Sequence, residues 1–576
     1  MLIDGRRVPS GTCLEADVCI IGAGPAGLTA AACLALTGVC VLLLEAAGRR
    51  HRRRDDDALR GAATADPFPF VASRHRGFGG TSTHWTRDTG LRIRPLDISD
   101  FHPTPVRPHD SWPFGRETLD PFYDAALEQL GTRRPDDEPE VGLGGGTPGP
   151  GGDPGLAMFQ FVDHDIFTRQ FDAFAADPRV TIALHAPVRS MDVDPASGAV
   201  RRLHVARPSG GAFSVSSRVV LLASGALDNA RSLLASPGLT GAGVGNEHDV
   251  VGRYFMDHLS IDAGVVRPTD GRDLHVDAFR ERTRHGMRVE PMLWLGDREI
   301  TARGLINAAF WVDERDAGYL SPGVGAARTL RNAQRNRDPA GVARSAAPTL
   351  RGLPDIVRFG IGRCRTTPRR DPVVGLRILA EQLPNRNSRV RLARQRDRHG
   401  IPRAALDWRV TADDRRSMAD HYRALGERFR TGGKVELHDP YDGSDWGSPM
   451  MTNYHHLGTT RIHVDPRRGV VDADCRVHSA PNLFVLGGSV FPTGGYVNPT
   501  LTILALAHRV AANVKRELTT RTALRPIDTE AVQTPIGRGT QLLRSVRSHV
   551  TSRDRSARAQ SPSFHRVIRG ASNRAR

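Results

Sequence analysis

The chain has 576 residues, with 80 Lys and Arg against 63 Asp and Glu, a formal net charge of +17, and 39% hydrophobic residues. This length exceeds what one hydrophobic core organises, so we expect two domains or one large elaborated domain. The excess charge comes from arginines spread along the chain without interleaved aromatic residues, which disfavours a nucleic-acid-binding protein.

The six cysteines form no Cys-x-x-Cys pair and lie mostly inside apolar runs, where cysteine behaves as a small hydrophobe. The sequence therefore predicts neither a disulfide framework nor a metal site. The N-terminal segment "MLIDGRRVPSGTCLEAD" lacks an apolar stretch followed by a small-residue cleavage site. We expect no secretory signal and a reduced, cytoplasmic setting.

The first predicted elements are a strand, a helix and a second strand. "DVCII" ends on Gly22, the Ala-rich segment after Pro25 has helical character, and "VCVLLLE" has the pattern of a buried strand. The apolar stretch 28–46 is long enough to cross a membrane, but Thr37 and Gly38 interrupt it. We therefore expect a βαβ unit and no transmembrane segment.

A glycine motif joins the first strand to the helix. "GAGPAG" places Gly22, Gly24 and Gly27 in the GxGxxG pattern, which allows a tight turn, close approach of a pyrophosphate, and close packing of helix on strand. Glu45, 18 residues beyond Gly27, ends the second strand, where an acid can accept hydrogen bonds from ribose hydroxyls. These features predict a dinucleotide site, and the N-terminal position of a single motif favours FAD over NAD.

The segment "GFGGTSTHWTRDTGLR", residues 77–92, places a glycine pair before hydroxyl residues around His84 and Trp85. A Gly-Gly turn brings the backbone close to a planar ligand, and small hydroxyl residues can hydrogen-bond to the polar edge of a flavin. An ordinary loop with a packed tryptophan is the alternative interpretation.

The middle of the chain contains both α/β patterns and segments of biased composition. Residues 180–194 and 216–236 alternate strand-like and helical patterns, which indicates further parts of an α/β layer. Residues 143–155 have the composition of a flexible surface excursion. The composition of residues 320–372 does not indicate a definite helix or strand. One interpretation is a basic segment that contacts a membrane. Residues 520–576 predict a mostly disordered tail.

The segment 453–514 combines histidines, an asparagine and glycine-rich turns. "VVDADCRVH" and "NLFVLGGSVFP" are predicted strands, and "PTLTILALAHRVAANV" is a predicted helix that Asn498 can cap. A reaction that removes a proton from a substrate hydroxyl needs a base that is neutral near pH 7 and a neutral donor to the oxygen. A histidine and an asparagine brought together would meet both needs.

In order along residues 14–517, these motifs resemble the glucose-methanol-choline (GMC) oxidoreductase family. The matching motifs are the glycine motif, residues 77–92, "VVLLASGALDNARSLLAS", "EHDVVGRYFMDH", "EQLPNRNSRVRL" and the stretch from Tyr454 to Ala507. The resemblance implies an FAD-dependent enzyme that oxidises CH–OH groups. Within the family, "STHWT" and "NPTLT" look most like the pyranose oxidase branch.

The resemblance assigns the catalytic pair to His455 and Asn498. It implies that His455 accepts the hydroxyl proton while hydride passes to flavin N5, and that Asn498 orients the substrate oxygen. Isolated histidines more often satisfy local hydrogen bonds than perform catalysis, so we expect structural or surface roles for the other histidines of this segment. These are His456, His463, His478 and His508.

The cofactor-binding residues follow from the glycine motif and from the resemblance. They are Gly22, Gly24, Pro25, Ala26, Gly27, Glu45, Gly80, Thr81, Ser82, His84, Trp85, Thr86, Val188, Gly488, Ser489, Pro499 and Thr500. In the pyranose oxidase branch the histidine that matches His84 carries the flavin covalently, and the threonine that matches Thr86 lies near N5. Covalent and non-covalent attachment of FAD are both open here.

The expected fold class is α/β, with a Rossmann-like FAD-binding domain and a second α+β substrate domain built on a mainly antiparallel sheet. The expected boundaries are 14–100, 180–258 and 450–518 for the FAD-binding domain, 101–179 and 259–449 for the substrate domain and insertions, and 519–576 for a basic, disordered tail.

The expected activity is oxidation of a sugar, glycoside or natural-product alcohol to a carbonyl. Dioxygen, a quinone or another carrier would then accept the electrons. A sterol or choline-type alcohol oxidase and a redox-neutral FAD-containing lyase of the same fold are the alternatives.

Overall fold

The computed structural model describes the chain with several gaps. The described residues are 1–63, 68–84, 91–134, 155–162, 165–207, 210–268, 276–316, 322–335, 339–364, 372–432, 435–438 and 451–524. Met1–Ala511 form one compact unit, and Ala512–Arg576 form a second.

The strands of the described residues are numbered β1 to β20 in chain order. They are β1 (Leu2–Asp4), β2 (Cys13–Ile21), β3 (Val41–Leu44), β4 (Gly61–Ala63), β5 (Leu91–Ile93), β6 (Gly155–Val162), β7 (Val180–Leu184), β8 (Val188–Val193), β9 (Val200–Ala206), β10 (Ala212–Leu222), β11 (Leu259–Pro268), β12 (Arg282–Arg284), β13 (Met287–Trp294), β14 (Ala308–Asp316), β15 (Pro372–Ala380), β16 (Arg389–Arg396), β17 (Pro402–Asp407), β18 (Val435–His438), β19 (Met451–Thr452) and β20 (Leu483–Val485).

The helices of the described residues are numbered in the same way. They are α1 (Pro25–Ala35), α2 (Ile98–Phe101), α3 (Asp120–Gln129), α4 (Phe171–Ala176), α5 (Ala226–Leu234), α6 (Asp297–Arg303), α7 (Pro322–Arg335), α8 (Pro339–Arg351), α9 (Leu353–Cys364), α10 (Ala412–Gly432) and α11 (Thr500–Leu524).

The first sheet has the strand order β1-β7-β3-β2-β10-β9-β8, and β20 also pairs with β10. β1, β7, β3, β2, β10 and β20 run parallel, whereas β9 and β8 are antiparallel additions. All four residues of β3 are buried, as a parallel sheet covered on both faces requires. Because α1 connects β2 to β3, the predicted βαβ start is confirmed.

The second sheet has the order β18-β11-β15-β14-β13-β6-β5, with β12 on β13 and β19 on β11. Its pairings among the described strands are antiparallel. A smaller sheet joins β16, β17 and β4. The predicted fold class, a Rossmann-like α/β layer combined with a mainly antiparallel second sheet, is confirmed.

The predicted strand at residues 470–478 is wrong. The Asp472 carboxylate accepts hydrogen bonds from the N–H groups of Asp474 and Arg476, both at 2.9 Å, and Cys475 has a positive φ of 64°. A side chain that satisfies backbone donors locally competes with a strand ladder. The segment therefore forms a turn with isolated bridges.

The segments of biased composition are described in part. Residues 320–372, for which the sequence predicts no definite element, contain α7, α8 and α9. The glycine-rich excursion at 143–155 lies outside the described residues up to Gly155, where β6 begins. α11 continues to Leu524, into the predicted tail, and residues 525–576 lie outside the described residues.

The apolar stretch 28–46 is divided between α1 and β3, as the sequence predicts. Within the part of the chain that the structure describes, no helix has both the length and the apolar character needed to cross a membrane.

Replacing Gly27 by alanine should destabilise the ligand-free protein. A Cβ at this position would lie 2.0 Å from the carbonyl oxygen of Gly22, and backbone cannot move aside as a flexible side chain can. Overpacking of this kind costs roughly 1–3 kcal/mol or more. The measurement is the unfolding temperature of protein stripped of ligand, with Gly24→Ala as the matched control, because a Cβ on Gly24 meets no atom within 4 Å. Equal unfolding temperatures for both variants would contradict the packing role of Gly27.

Candidate active site

The glycine turn after β2 is closed by backbone contacts. Gly22 has a φ of +110°, and its N–H donates to the carbonyl oxygen of Leu44 at 2.8 Å. Residues 77–80 lie against this turn, because the N–H of Gly79 donates to the carbonyl oxygen of Ala23 at 2.8 Å. The turn and the glycine-pair segment, far apart in sequence, therefore form one wall.

Glu45 ties that wall together. Its carboxylate accepts hydrogen bonds from the N–H groups of Ala23 at 3.2 Å, Ala47 at 2.9 Å and Gly77 at 3.0 Å. Burial raises the pKa of Glu45, while the backbone N–H groups and Arg76 favour its charged form. A carboxylate has about four acceptor positions, so Glu45 retains capacity to bind a ligand hydroxyl.

The wall borders a cavity of about 790 Å³. Most of the residues predicted from the sequence for cofactor binding and catalysis line it. They are Gly22, Gly24, Pro25, Ala26, Glu45, Gly80, Thr81, Ser82, His84, Val188, His455, Gly488, Asn498, Pro499 and Thr500.

Four of the residues predicted from the sequence are not among the described residues that line the cavity. Gly27 instead packs α1 against β2, and the Ser489 hydroxyl oxygen accepts a hydrogen bond from the Asn229 amide at 2.9 Å. Trp85 and Thr86 lie outside the described residues.

The two adjacent histidines lie in a bulge where β11 and β19 meet. Residues 453–456 on one side face only Asp257 and His258 on the other. The flanking pairs are Leu259 with Thr452 and Met256 with Leu457. The two extra residues within 453–456 bend the chain out of the strand ladder. Adjacent side chains there need not alternate between the two faces of the sheet.

Asp257 holds the bulge in place. Its Oδ1 accepts hydrogen bonds from the N–H groups of His258 at 2.7 Å and His455 at 2.9 Å. Tyr454 has a positive φ of 63°, a conformation that residues with side chains rarely adopt and that the surrounding contacts must maintain. Burial raises the pKa of Asp257 to about 7, although nearby backbone N–H groups favour the anion.

The His455 ring lies between two side chains. Its Nδ1 is 2.9 Å from Nδ1 of His258, and its Nε2 is 3.1 Å from Nδ2 of Asn498. Burial, followed by the proximity of His258 and His456, lowers the pKa of His455 well below its ordinary value. The ring is therefore neutral at pH 7, with one nitrogen lone pair available to accept a proton.

His456 has different surroundings. Its ring packs against Phe68 and Phe255, with centroid distances of 5.2 and 5.7 Å. Burial, followed by the charge of Arg74, lowers the pKa of His456 to about 3. Both histidines line the cavity, but the hydrogen bond to Asn498 belongs to His455.

The predicted capping role of Asn498 is wrong. α11 begins at Thr500, two residues later, and the Asn498 amide is turned towards His455. Its Oδ1 is buried and has no hydrogen-bond partner among the described residues. Asn498 lines the cavity beside His455, so its amide can take part in chemistry there.

The remaining histidines of this segment make local hydrogen bonds. Nδ1 of His463 accepts from the N–H of Asp465 at 2.9 Å, and Nε2 of His478 is 2.9 Å from the His463 carbonyl oxygen. Nε2 of His508 is 2.8 Å from the Gln129 amide oxygen. These contacts tie neighbouring segments together.

His84 belongs to a column of stacked imidazoles. Its ring stacks on His75 with centroids 3.5 Å apart, and His75 stacks on His51 at 4.2 Å. Burial lowers the pKa of His75 to about 4 and lowers that of His84. The Nε2 atom of His84 is buried without a hydrogen-bond partner in the described part of the chain. His84 thus lines the cavity with a ring that has one buried, unpartnered nitrogen among the described residues.

These features fit FAD. The glycine turn leaves no Cβ between the backbone and a pyrophosphate, and Glu45 can accept from ribose hydroxyls. His84 and Asn498, which each have a buried atom without a partner in the described residues, line the same cavity. Such orphaned polar atoms are costly in a buried site without a ligand to satisfy them.

Sequence patterns assign no site role to several residues of this region. Asp257 and His258 belong to the "EHDVVGRYFMDH" motif, and the available signal is a polar pair placed directly before an apolar strand. Arg74, Arg76 and Asp228, which form ion pairs of 3.0 and 3.3 Å at the cavity, are too far apart in sequence to be recognised as partners.

Two family profiles match the chain. A profile described as GMC oxidoreductase matches residues 384–507, and one described as FAD binding domain matches residues 15–61. The first match includes the bulge and Asn498, and the second includes the glycine turn and Glu45.

The chain is similar to proteins named as oxidases and dehydrogenases. Paromamine 6'-oxidase of Streptomyces fradiae is 28% identical, over 88% of this chain and 92% of the relative. The fructose dehydrogenase large subunit of Gluconobacter japonicus is 24% identical, over 88% of this chain and 98% of the relative. A C-glycoside 3-oxidase of Arthrobacter globiformis is 32% identical, over 28% of this chain and 30% of the relative.

A solved structure supports the fold. A fungal aryl-alcohol oxidase superposes with a TM-score of 0.53 at 14% identity, covering 88% of this chain and 99% of the other. At this identity the likeness concerns the fold alone.

Replacing Glu45 by glutamine should weaken FAD binding. The neutral amide has one acceptor oxygen where the carboxylate has two, and its NH₂ group would face backbone donors. Loss of one hydrogen bond to a charged group costs about 1.5–3 kcal/mol, which corresponds to roughly 10-fold or more in the dissociation constant. The measurement is titration of the apoprotein with FAD by flavin fluorescence. Glu15→Gln, on the exposed part of β2, is the control, and equal affinities of the two variants would contradict the role of Glu45.

Proposed function

We propose that this chain, which belongs to the GMC oxidoreductase family as an FAD-dependent oxidoreductase of CH–OH donors, oxidises a sugar, glycoside or natural-product hydroxyl to a carbonyl with His455 as the base. The observation that carries the proposal is the 3.1 Å approach of His455 Nε2 and Asn498 Nδ2 at the edge of the cavity. This arrangement supplies a neutral proton acceptor beside a neutral donor.

His455 removes the hydroxyl proton. The substrate O–H replaces the Asn498 N–H as the donor to the Nε2 lone pair. The O–H bond then breaks and an N–H bond forms on Nε2, so the ring becomes an imidazolium. Its lowered pKa keeps the ring unprotonated and ready before the substrate arrives. His258 and Asn498 fix the direction of the ring, which keeps the lone pair aimed at one place.

Asn498 orients the substrate oxygen. Its NH₂ group donates to the oxygen as negative charge develops there, and this stabilises the transition state more than the neutral alcohol. In the described residues its Oδ1 lacks a partner, so it can accept from another substrate hydroxyl.

FAD would be held by the glycine turn, Glu45 and the segment 80–84. When bound, FAD would supply an acceptor, flavin N5, for the hydride of the carbinol carbon. The surrounding chain supplies the base, the donor and the walls of the site. Whether His84 carries the cofactor covalently, and whether the enzyme belongs to the pyranose oxidase branch, remain predictions that rest on "STHWT" and "NPTLT".

A sugar or glycoside hydroxyl is the proposed substrate class. The support is the set of relatives named paromamine 6'-oxidase, fructose dehydrogenase large subunit and C-glycoside 3-oxidase, of which the last two name a sugar and a glycoside. The position of the oxidised hydroxyl depends on the walls of the site, because specificity is set by those walls and not by the fold. Sterol and choline-type alcohols are the competing substrate classes.

Several further expectations stay predictions. The electron acceptor is dioxygen, a quinone or another carrier. The division into an FAD-binding domain and a substrate domain at the boundaries given above, and the cytoplasmic location, have the sequence patterns as their support.

The proposed activity is tested by mixing the FAD-loaded protein anaerobically with sugars, glycosides and simple alcohols. We expect bleaching of the flavin by at least one sugar or glycoside, with the matching carbonyl compound as product. Bleaching only by sterols or choline would redirect the substrate class. Turnover of a cyanohydrin without bleaching by any alcohol would favour the redox-neutral lyase and contradict the proposal.

Replacing His455 by alanine should slow flavin reduction by ~100-fold or more, in line with the loss of a positioned general base. Stopped-flow absorbance under anaerobic conditions measures the rate. The matched variant is His456→Phe, which preserves the aromatic packing against Phe68 and Phe255 and should cost far less. Equal, large losses in both variants with FAD retained would undo the assignment of the base.

The rate of flavin reduction should fall on the acid side only. The pKa of His455 is lowered below its ordinary value of 6.5, so the base is neutral above that pH and becomes protonated as the pH falls through its pKa. The groups that face it are His258 and His456, whose pKa values of about 4 and 3 keep them neutral, and Asp257, whose Oδ1 accepts backbone N–H groups in either protonation state. A pH profile of the reduction rate that drops between pH 8 and pH 7 would contradict this assignment.

A further inference from the structure

His258 lies behind the catalytic base without reaching the cavity. It is fully buried, with no exposed side-chain surface. Its Nδ1 is 2.9 Å from Nδ1 of His455, and the two rings meet edge to face at 79° with centroids 4.8 Å apart. Its Nε2 is 3.4 Å from the carbonyl oxygen of Gly494. Each nitrogen of this ring therefore has one partner.

These partners determine where the hydrogens lie. A carbonyl oxygen only accepts, so the Nε2 of His258 must carry a hydrogen to bond Gly494. Burial lowers the pKa of His258 to about 4, so the ring is neutral and its Nδ1 has a lone pair. The facing Nδ1 of His455 must then carry a hydrogen, because two lone pairs 2.9 Å apart would repel. The lone pair of His455 is left on Nε2.

The contact with Asn498 leads to the same hydrogen positions. Its Nδ2, an obligatory donor, is 3.1 Å from Nε2 of His455 and requires a lone pair there. The chain of hydrogen bonds therefore runs in one direction, from Asn498 to His455, from His455 to His258, and from His258 to Gly494.

The backbone reinforces this arrangement. The Asp257 carboxylate binds the N–H groups of both His258 and His455, and the Asn453 amide donates to the carbonyl oxygen of His258 at 2.9 Å. The two rings are thus anchored to each other through the main chain as well as through their nitrogens.

We propose that His258 is a positioning residue that keeps His455 in the tautomer with hydrogen on Nδ1 and the lone pair on Nε2. A neutral imidazole can carry its hydrogen on either nitrogen, and only this tautomer presents a proton acceptor to the cavity. His258 itself does not touch the substrate, and it cannot pass its own proton to a carbonyl oxygen. The inference rests on the proposed function of His455 as the base.

The acceptor is a neutral ring, not a carboxylate. A carboxylate behind the base would stabilise the imidazolium form and raise the pKa of His455. With a neutral acceptor, His455 keeps a low pKa and stays ready to accept a proton in mildly acidic solution. The neutral acceptor thus fixes the tautomer of His455 without favouring its protonated form.

Two variants of His258 distinguish the loss of its hydrogen-bond acceptor from the loss of its ring shape. His258→Phe keeps an aromatic ring but removes the acceptor, whereas in His258→Asn the amide oxygen can take the place of Nδ1. We expect His258→Phe to reduce the flavin roughly 10- to 100-fold more slowly than the unsubstituted protein, which is part of what a general base contributes. His258→Asn should recover most of that rate.

A readout independent of activity is the protonation of the His455 ring nitrogens. In substrate-free protein with ¹⁵N-labelled histidines, the His455 signals are assigned by their loss in His455→Ala. We expect a protonated Nδ1 and an unprotonated Nε2 in the unsubstituted protein and in His258→Asn, and a mixture or reversal in His258→Phe. His421→Phe, at a histidine as buried as His258 and packed on Phe310, is the control and should change neither the signals nor the rate.

The outcomes separate this inference from the proposed function. If His455→Ala reduces the flavin at the normal rate, the proposed function fails. If His455→Ala is slow but His258→Phe has normal rate and normal nitrogen signals, the positioning role is overturned. It is also overturned if His258→Asn is as slow as His258→Phe while both retain FAD and their unfolding temperatures.

If His258→Phe does not fold, the nitrogen signals of His258→Asn and of the unsubstituted protein still decide the question. A protonated Nε2 on His455 in either protein contradicts the inference.

Discussion

The active site depends on the change of register between β11 and the chain that follows β19. Four residues face two at this point, and the Asp257 carboxylate secures the surplus by binding the N–H groups of His258 and His455. Without the surplus, neighbouring side chains would alternate between the faces of a regular sheet. The bulge instead directs His455 towards Asn498 and lets His456 pack among phenylalanines. The strained conformation of Tyr454 is the local cost of this arrangement.

The cofactor site depends on a second buried carboxylate in a similar way. Glu45 collects N–H groups from the glycine turn, from its own strand end and from the segment that begins at Gly77. Both acids are buried, and each is kept hydrogen-bonded by backbone donors, as buried carboxylates require. One fixes the wall of the proposed FAD site and the other fixes the proposed base, so both acids act by positioning other residues.

Local patterns in the sequence predict the parts of the fold that local physics determines. The strand, glycine turn, helix and second strand at the start of the chain follow from apolar periodicity and the steric needs of a turn, and Gly22 and Glu45 lie where those needs place them. The strand predicted at 470–478 fails because the Asp472 side chain takes over backbone donors, an effect that apolar periodicity does not report. The role of His258 could not be predicted because it depends on the pairing of β11 with β19, which are nearly two hundred residues apart in the sequence. His455 and Asn498 are assigned by resemblance, since nothing local marks one histidine of an adjacent pair.

The central claim is that a carbon–hydrogen bond of an alcohol breaks in this site while His455 holds the hydroxyl proton. The most direct measurement is the rate of anaerobic flavin reduction at saturating alcohol, with hydrogen or deuterium on the carbinol carbon. Breaking of that bond predicts a clearly slower reduction with deuterium, and a slowing that persists when His455 is replaced by alanine. Equal rates with the two isotopes in both proteins, or product formation without any reduction of the flavin, would contradict it.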